Sequence, residues 1–276
     1  MASSYPGSLD AFDSIASDKK TSDVVGGRTH RDMHNDLGDA IEAVQAELGT
    51  DPAGSFATVK ARLDVLVAYA AKTSAYTATV SDGTLNVTSG TFTLDLPAAS
   101  TCTGQSLRIR NAGSGVVTLD GNSSETIEGV ATFPLGNGSY VEITSTGSAW
   151  ILTGGVPDTG LRLVAVDGAS WSGNVHLRRR GGVVEVKADT SRLTMPAAGT
   201  DTVMTLPSGF RAVGNGFTHG LSFNHTTNYV FPMLMSSGGA IYYYATASRS
   251  AGNTLSFTLV FTTSNAWPTS LPGSAA

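Results

Sequence analysis

The period of the apolar positions changes twice along the chain. Over residues 1–28 apolar side chains such as Phe12 and Ile15 are scattered among Ser, Asp, Gly and Lys, with neither a helical nor a strand repeat. An extended arm is expected there, one that gains order only by docking on another protein, because it buries too little apolar surface alone. From Thr29 the pattern turns helical: Met33, Leu37, Ile41, Val44 and Leu48 follow at spacings of 4, 4, 3 and 4. Thr29 followed by Asp32 is a start signal, and Gly49 a stop. A second helix is expected from about Ser55 to Lys72, where Phe56, Val59, Leu63, Leu66 and Ala70 repeat at 3, 4, 3 and 4. Its seam of Val59, Leu63, Leu66 and Ala70 needs a partner, either further copies of the chain or, across the short turn GTDPAGS, the first helix. Residues 29–75 are thus expected to form a helix-turn-helix stalk.

Beyond Tyr76 the period becomes two. Thr91–Leu96, Leu107–Asn111, Val116–Asp120, Tyr140–Thr144 and Trp150–Thr153 are strand candidates, separated by the turn signals Asp82-Gly83, Asp120-Gly121-Asn122 and Asn137-Gly138. This spacing predicts a compact antiparallel module over residues 76–156, ending at the loop around Pro157. Residues 157–276 are again β, with strands expected at Asn174–Leu177, Val183–Lys187, Gly220–Asn224, Tyr229–Met235, Ala240–Thr246 and Thr254–Thr262. A terminal β-sandwich head is expected, followed by a disordered tail, TSLPGSAA.

Composition narrows the function classes. Charged residues are only 14% of the 276, against 32 glycines, so there is little material for long surface helices. A formal net charge of −5 offers no field for a phosphate backbone, and nucleic acid is not an expected partner. No apolar run is long enough to span a bilayer, and MASSYPGSLDAF lacks the cationic start and apolar stretch of a signal peptide; synthesis in a cytoplasm without membrane insertion is expected. A single cysteine, Cys102, leaves stability to packing or to other subunits.

At HNDLGDAIEAVQAELGTDPAGSFATVKARLD, residues 34–64, the chain resembles the N-terminal region of minor tail and tail-fibre proteins of tailed phages, notably those infecting actinobacteria. TLDLPAASTCTGQSLRIRN, VTLDGNSSETIEG and SAWIL are similar to modules of such fibres, and WSGNVHLRRRGGVVEV with LPSGFRA to their head domains. The resemblance implies a homotrimeric stalk fixed to other tail proteins through the N-terminal arm, in a virion, with a head that meets the bacterial surface.

Candidate chemistry is sparse. After Asp158 the acids are Asp167, Glu185, Asp189 and Asp201, in no motif that would pair carboxylates for glycoside hydrolysis. Cys102 has no identifiable partner base, and a buried apolar role is expected. His219 and His225 would share a strand face, where a metal shared around a threefold axis is conceivable, but no Cys or carboxylate accompanies them; His30 and His34 lie one helical turn apart, and for both pairs ordinary loop or surface roles are expected, with neither a metal nor a cofactor. Arg178, Arg179 and Arg180 are either a solvated strand end or a grip for an anionic wall polymer. Tyr229, Tyr242, Tyr244 and Trp267, with Arg179, are the candidate glycan contacts, since sugar faces stack on rings; interface packing explains the same cluster. The expectation is a mainly β protein with an N-terminal coiled-coil segment, built as an elongated trimeric fibre that adheres to a cell-wall glycan without catalysis. A purely structural tail-tip subunit is the alternative, and a wall depolymerase the third reading.

Overall fold

Thr58 decides where the second helix begins: its Oγ1 accepts the Ala61 N–H at 3.0 Å and caps the first turn. The computed structural model of the chain describes residues 24–25, 28–54, 56–166, 171–188, 193–194, 201–212, 218–225, 228–236, 238–243 and 254–276. The arm expected over 1–28 falls almost wholly outside them. Two compact units are present, the first ending at Leu66 and the second spanning Val67–Ala276.

In the first unit a short ribbon, β1 (Val24–Val25) with β2 (Arg28–Thr29), precedes helix α1 (His30–Leu48). Gly49, at φ +73°, ends α1 with its N–H on the Gln45 carbonyl, as the sequence predicts. Helix α2 covers only Val59–Val67. The sequence pattern placed its end at Lys72, but Tyr69–Lys72 is strand β3, in which Ala70 packs toward a β core; a parallel ladder overrides the alanine-rich helical pattern. Among the described residues no extended contact joins α1 to α2.

The second unit holds two β modules. In the first, β3, β5 (Thr84–Val87) and β7 (Ser106–Asn111) stack parallel in one sheet, while β4 (Tyr76–Thr77), β6 (Phe92–Asp95) and β8 (Val117–Asp120) stack parallel in another. The chain therefore winds through three coils, each giving one strand to each sheet. Strands β9 (Thr132–Leu135), β10 (Tyr140–Ser145) and β11 (Trp150–Val156) then finish the sheets antiparallel, in the orders β11-β10-β7-β5-β3 and β4-β6-β8-β9. The antiparallel module expected here is thus mostly a parallel coil. Leu85, Ile109, Leu119, Phe133 and Ile143, all at most 1% exposed, fill the space between the sheets. A bulge in the β10–β11 pair sits beside Gly155, at φ +85°, where a Cβ would strike the Tyr140 carbonyl. Gly155→Ala is expected to cost about 2 kcal/mol, read as a lower urea midpoint with unchanged slope.

The second module is one antiparallel sheet: β12 (Arg162–Ala165), β13 (Asn174–Arg180), β14 (Val183–Lys187), β15 (Leu193–Thr194), β16 (Asp201–Thr205), β17 (Thr218–Asn224), β18 (Tyr229–Met235), β19 (Ala240–Tyr243), β20 (Thr254–Thr262) and β21 (Ser274–Ala275). It curls into a half-barrel around Val175, Val186, Met233, Ile241, Tyr243 and Leu255 rather than pairing two sheets as a sandwich, since one apolar face can cover itself by curvature. The expected strands here appear within a few residues of their places.

The tail is ordered where disorder was expected. Residues beyond β20 run back to the first module: Trp267 enters its core, the Thr269 carbonyl accepts from Thr132 Oγ1 at 2.9 Å, and β21 pairs with β12. Buried Arg162 holds that return with Nε on the Pro272 carbonyl (3.0 Å) and Nη2 on Gly273 (2.8 Å).

Candidate functional site

Two of the residues expected to face a glycan are buried between the modules. Alternation along β13 turns Arg179 inward, 6% exposed, and its guanidinium donates to four backbone carbonyls: Gly181 (2.9 Å), Gly209 (2.5 Å), Asn265 (2.9 Å) and Ala266 (2.9 Å). It lies 4.9 Å over the Trp267 ring, and its burial lowers its pKa. Trp267, 7% exposed, stacks on Phe133 at 5.2 Å and donates its indole N–H to the Pro134 carbonyl at 2.9 Å. Neither presents a free face to a sugar, and both are reassigned as fasteners of the returning tail.

The neighbours of Arg179 point the other way along the strand. Arg178 clasps the buried carboxylate of Asp158 through Nε (3.0 and 3.2 Å) and Nη2 (2.5 Å), a hydrogen bond that raises the arginine's pKa. Arg180, largely exposed, lies 3.8 Å from the same carboxylate. The three arginines are therefore neither one solvated run nor one anion grip. Tyr242 is half-buried, opposite Leu234 on the next strand, while Tyr244 and the side chain of Tyr229 lie outside the described residues. His225 Nε2 meets Ser256 Oγ at 2.8 Å, with its ring edge-on to Phe223; the side chain of His219 lies outside the described residues. Cys102 is buried, with its thiol pKa raised first by that burial and its Sγ 3.4 Å from the Ala98 carbonyl. Among the described residues no group of His, Cys, Asp and Glu is arranged to hold a metal.

Three exposed surfaces remain. On α1, Leu37 (57% exposed), Ile41, Val44 (58%) and Leu48 form an open apolar stripe, and on α2 the expected seam residues Leu63 and Leu66 are exposed and Val59 is half-buried. On the outer face of the half-barrel, Leu221 (68%), Phe223, Val230 (57%) and Val260 (59%) stand together, because β17 pairs with both β18 and β20. On the far side of β20 the register sets Glu185 opposite Val260 and Lys187 opposite Thr258, so charge borders the patch.

The outer face of the five-stranded sheet has a different character. The register aligns Tyr69, Thr84, Arg108 and Glu142 in one row and Ala71, Asn86, Arg110 and Tyr140 in the next. The Asn86 amide donates to Tyr69 Oη at 3.0 Å, Arg108 lies 3.5 Å from Glu142, and Ser106, Thr144 and Thr153 link their hydroxyls at 2.7 and 2.8 Å. Sequence reasoning missed this face because Tyr69 fell in a helical pattern; alternation in YVEIT was the one available signal for Tyr140. Compared with known proteins, the chain matches no protein family and no curated protein.

Proposed function

We propose that the chain is a non-enzymatic structural subunit of a phage tail, assembled as a homotrimeric fibre that adheres to a bacterial surface. The observation that carries this reading is the exposed apolar face around Leu221, Val230 and Val260. Isolated exposed apolar residues are ordinary, but a contiguous patch on a sheet face calls for a cover, and other copies of the same chain would supply one. The open stripe on α1 calls for the same cover independently, since a helix of about 28 Å is marginal without a buried face. The resemblance of residues 34–64 to tail-fibre proteins supplies the virion setting. Light scattering on the full chain tests the assembly: a mass of three chains is expected, falling in Leu221→Asp/Val260→Asp, and a monomer throughout the micromolar range overturns the reading. The alternative of a tail-tip subunit without host contact gains from the burial of Arg179 and Trp267, which takes two expected contacts away from any ligand.

A further inference from the structure

The geometry points to a ligand site away from the head: we propose that the outer face of sheet β11-β10-β7-β5-β3 binds an oligosaccharide carrying an acidic group. This inference rests on the adhesion reading and moves its contact from the half-barrel to the coiled module.

Two tyrosines frame the face. Tyr69 on β3 is 65% exposed and Tyr140 on β10 is 41% exposed. They stand three strand steps apart in adjacent rows, about 14 Å across the sheet at ~4.8 Å per step, a span suited to a short run of sugar rings rather than one. Between them lie only polar side chains: Asn86, Arg108, Arg110 and Glu142. Sugar rings are amphipathic, with C–H faces that stack on aromatic rings and hydroxyls that need donors and acceptors at their edges. This face meets both demands, with Tyr69 and Tyr140 set beside Asn86, Arg108, Arg110 and Glu142.

Two polar groups on it lack partners. Arg110, exposed at the end of β7, makes no hydrogen bond or ion pair among the described residues, in contrast to Arg108 beside Glu142. Its free guanidinium is the complement of a carboxylate or phosphate on the sugar. Asn86 uses its amide N–H on Tyr69, while its Oδ1 is shielded and accepts nothing; buried acceptors are normally satisfied, and a ligand hydroxyl that moves the Tyr69 ring aside would do so. With two arginines against one glutamate the face is locally cationic in a chain of net charge −5, which favours an acidic sugar while remaining too weakly charged for a nucleic acid. The support is rigid, because Leu85, Ile109 and Ile143 on the reverse of the same strands are fully buried.

Affinity electrophoresis of the full chain tests this, in native gels containing teichoic acid, polygalacturonate, hyaluronan or neutral dextran. At least one acidic polymer is expected to retard the protein and dextran is not. Tyr69→Ala and Tyr140→Ala should each weaken retardation about tenfold, equivalent to roughly 1.4 kcal/mol, with unchanged melting temperature. Arg110→Gln should weaken it too and flatten its salt dependence. Absence of retardation by every polymer overturns the site, as does retardation that survives both tyrosine substitutions. Retardation insensitive to Arg110→Gln overturns the acidic specificity. Scattering mass on the same samples separates the two proposals: no retardation from an intact assembly sinks this site alone, and a mass that falls in Tyr69→Ala makes the face a contact between copies instead.

Discussion

Trp267→Ala is expected to destabilise the protein by about 4 kcal/mol, one of the largest single-residue effects available in it. The indole is 7% exposed, stacked on Phe133 with an interplanar angle of 14°, and hydrogen-bonded to the Pro134 carbonyl. Truncation opens a cavity in the coiled module and leaves that carbonyl unmet. Trp267→Phe keeps most of the stack and should cost about 1–2 kcal/mol, mostly for the lost hydrogen bond. Urea unfolding of both variants checks the order. A wild-type midpoint for the alanine variant would return the ring to the surface and to a ligand role.

Arg179→Ala should cost about 3 kcal/mol, and Arg179→Lys nearly as much. Four carbonyls converge on one planar cation, and among the described residues no carboxylate pairs with it. A guanidinium distributes five donors in a fixed fork, while an ammonium has three from a single atom and cannot span from Gly181 and Gly209 to Asn265 and Ala266. Removing the cation leaves four carbonyls without their donor. The lysine variant is the informative one: if it unfolds at the wild-type midpoint, charge alone holds the junction and the fork geometry is incidental.

Much of the strand pattern was legible in the chain. Alternation bounded by Gly and Asn locates β13, β14, β17, β18 and β20, and the stripe from Leu37 to Leu48 locates α1, because each repeats long enough for one period to dominate. The coil of parallel strands was not legible. Its strands are two to six residues long, and alternation is the same whether the neighbour runs parallel or antiparallel. Ala70 shows the limit from the other side: Leu63, Leu66 and Ala70 keep a helical spacing, yet the chain leaves the helix at Val67 because pairing with β5 is available only in the folded chain.

The candidate site was less legible than the fold. Arginine beside aromatic residues is the composition of a sugar subsite and equally of a buried fastener. What separates them for Trp267 is a carbonyl 133 positions away, at Pro134, which no local pattern encodes. Tyr69 and Tyr140 were hidden for the opposite reason: neither belongs to an aromatic cluster in the sequence, and only the register of four strands brings them to one face.

The returning tail has a mechanical consequence. The two β modules are joined covalently by the stretch that passes Asp158, and the tail from Thr263 onward crosses between them a second time, pinned by Trp267, Arg179 and the β12–β21 pairing. A drag force that separated them would load two strands of chain in parallel instead of stretching a single tether. The half-barrel cannot part from the coiled module by extending a linker; Trp267 must first be sheared from its socket. Tension applied to either module would be carried through the pair as through one stiff rod.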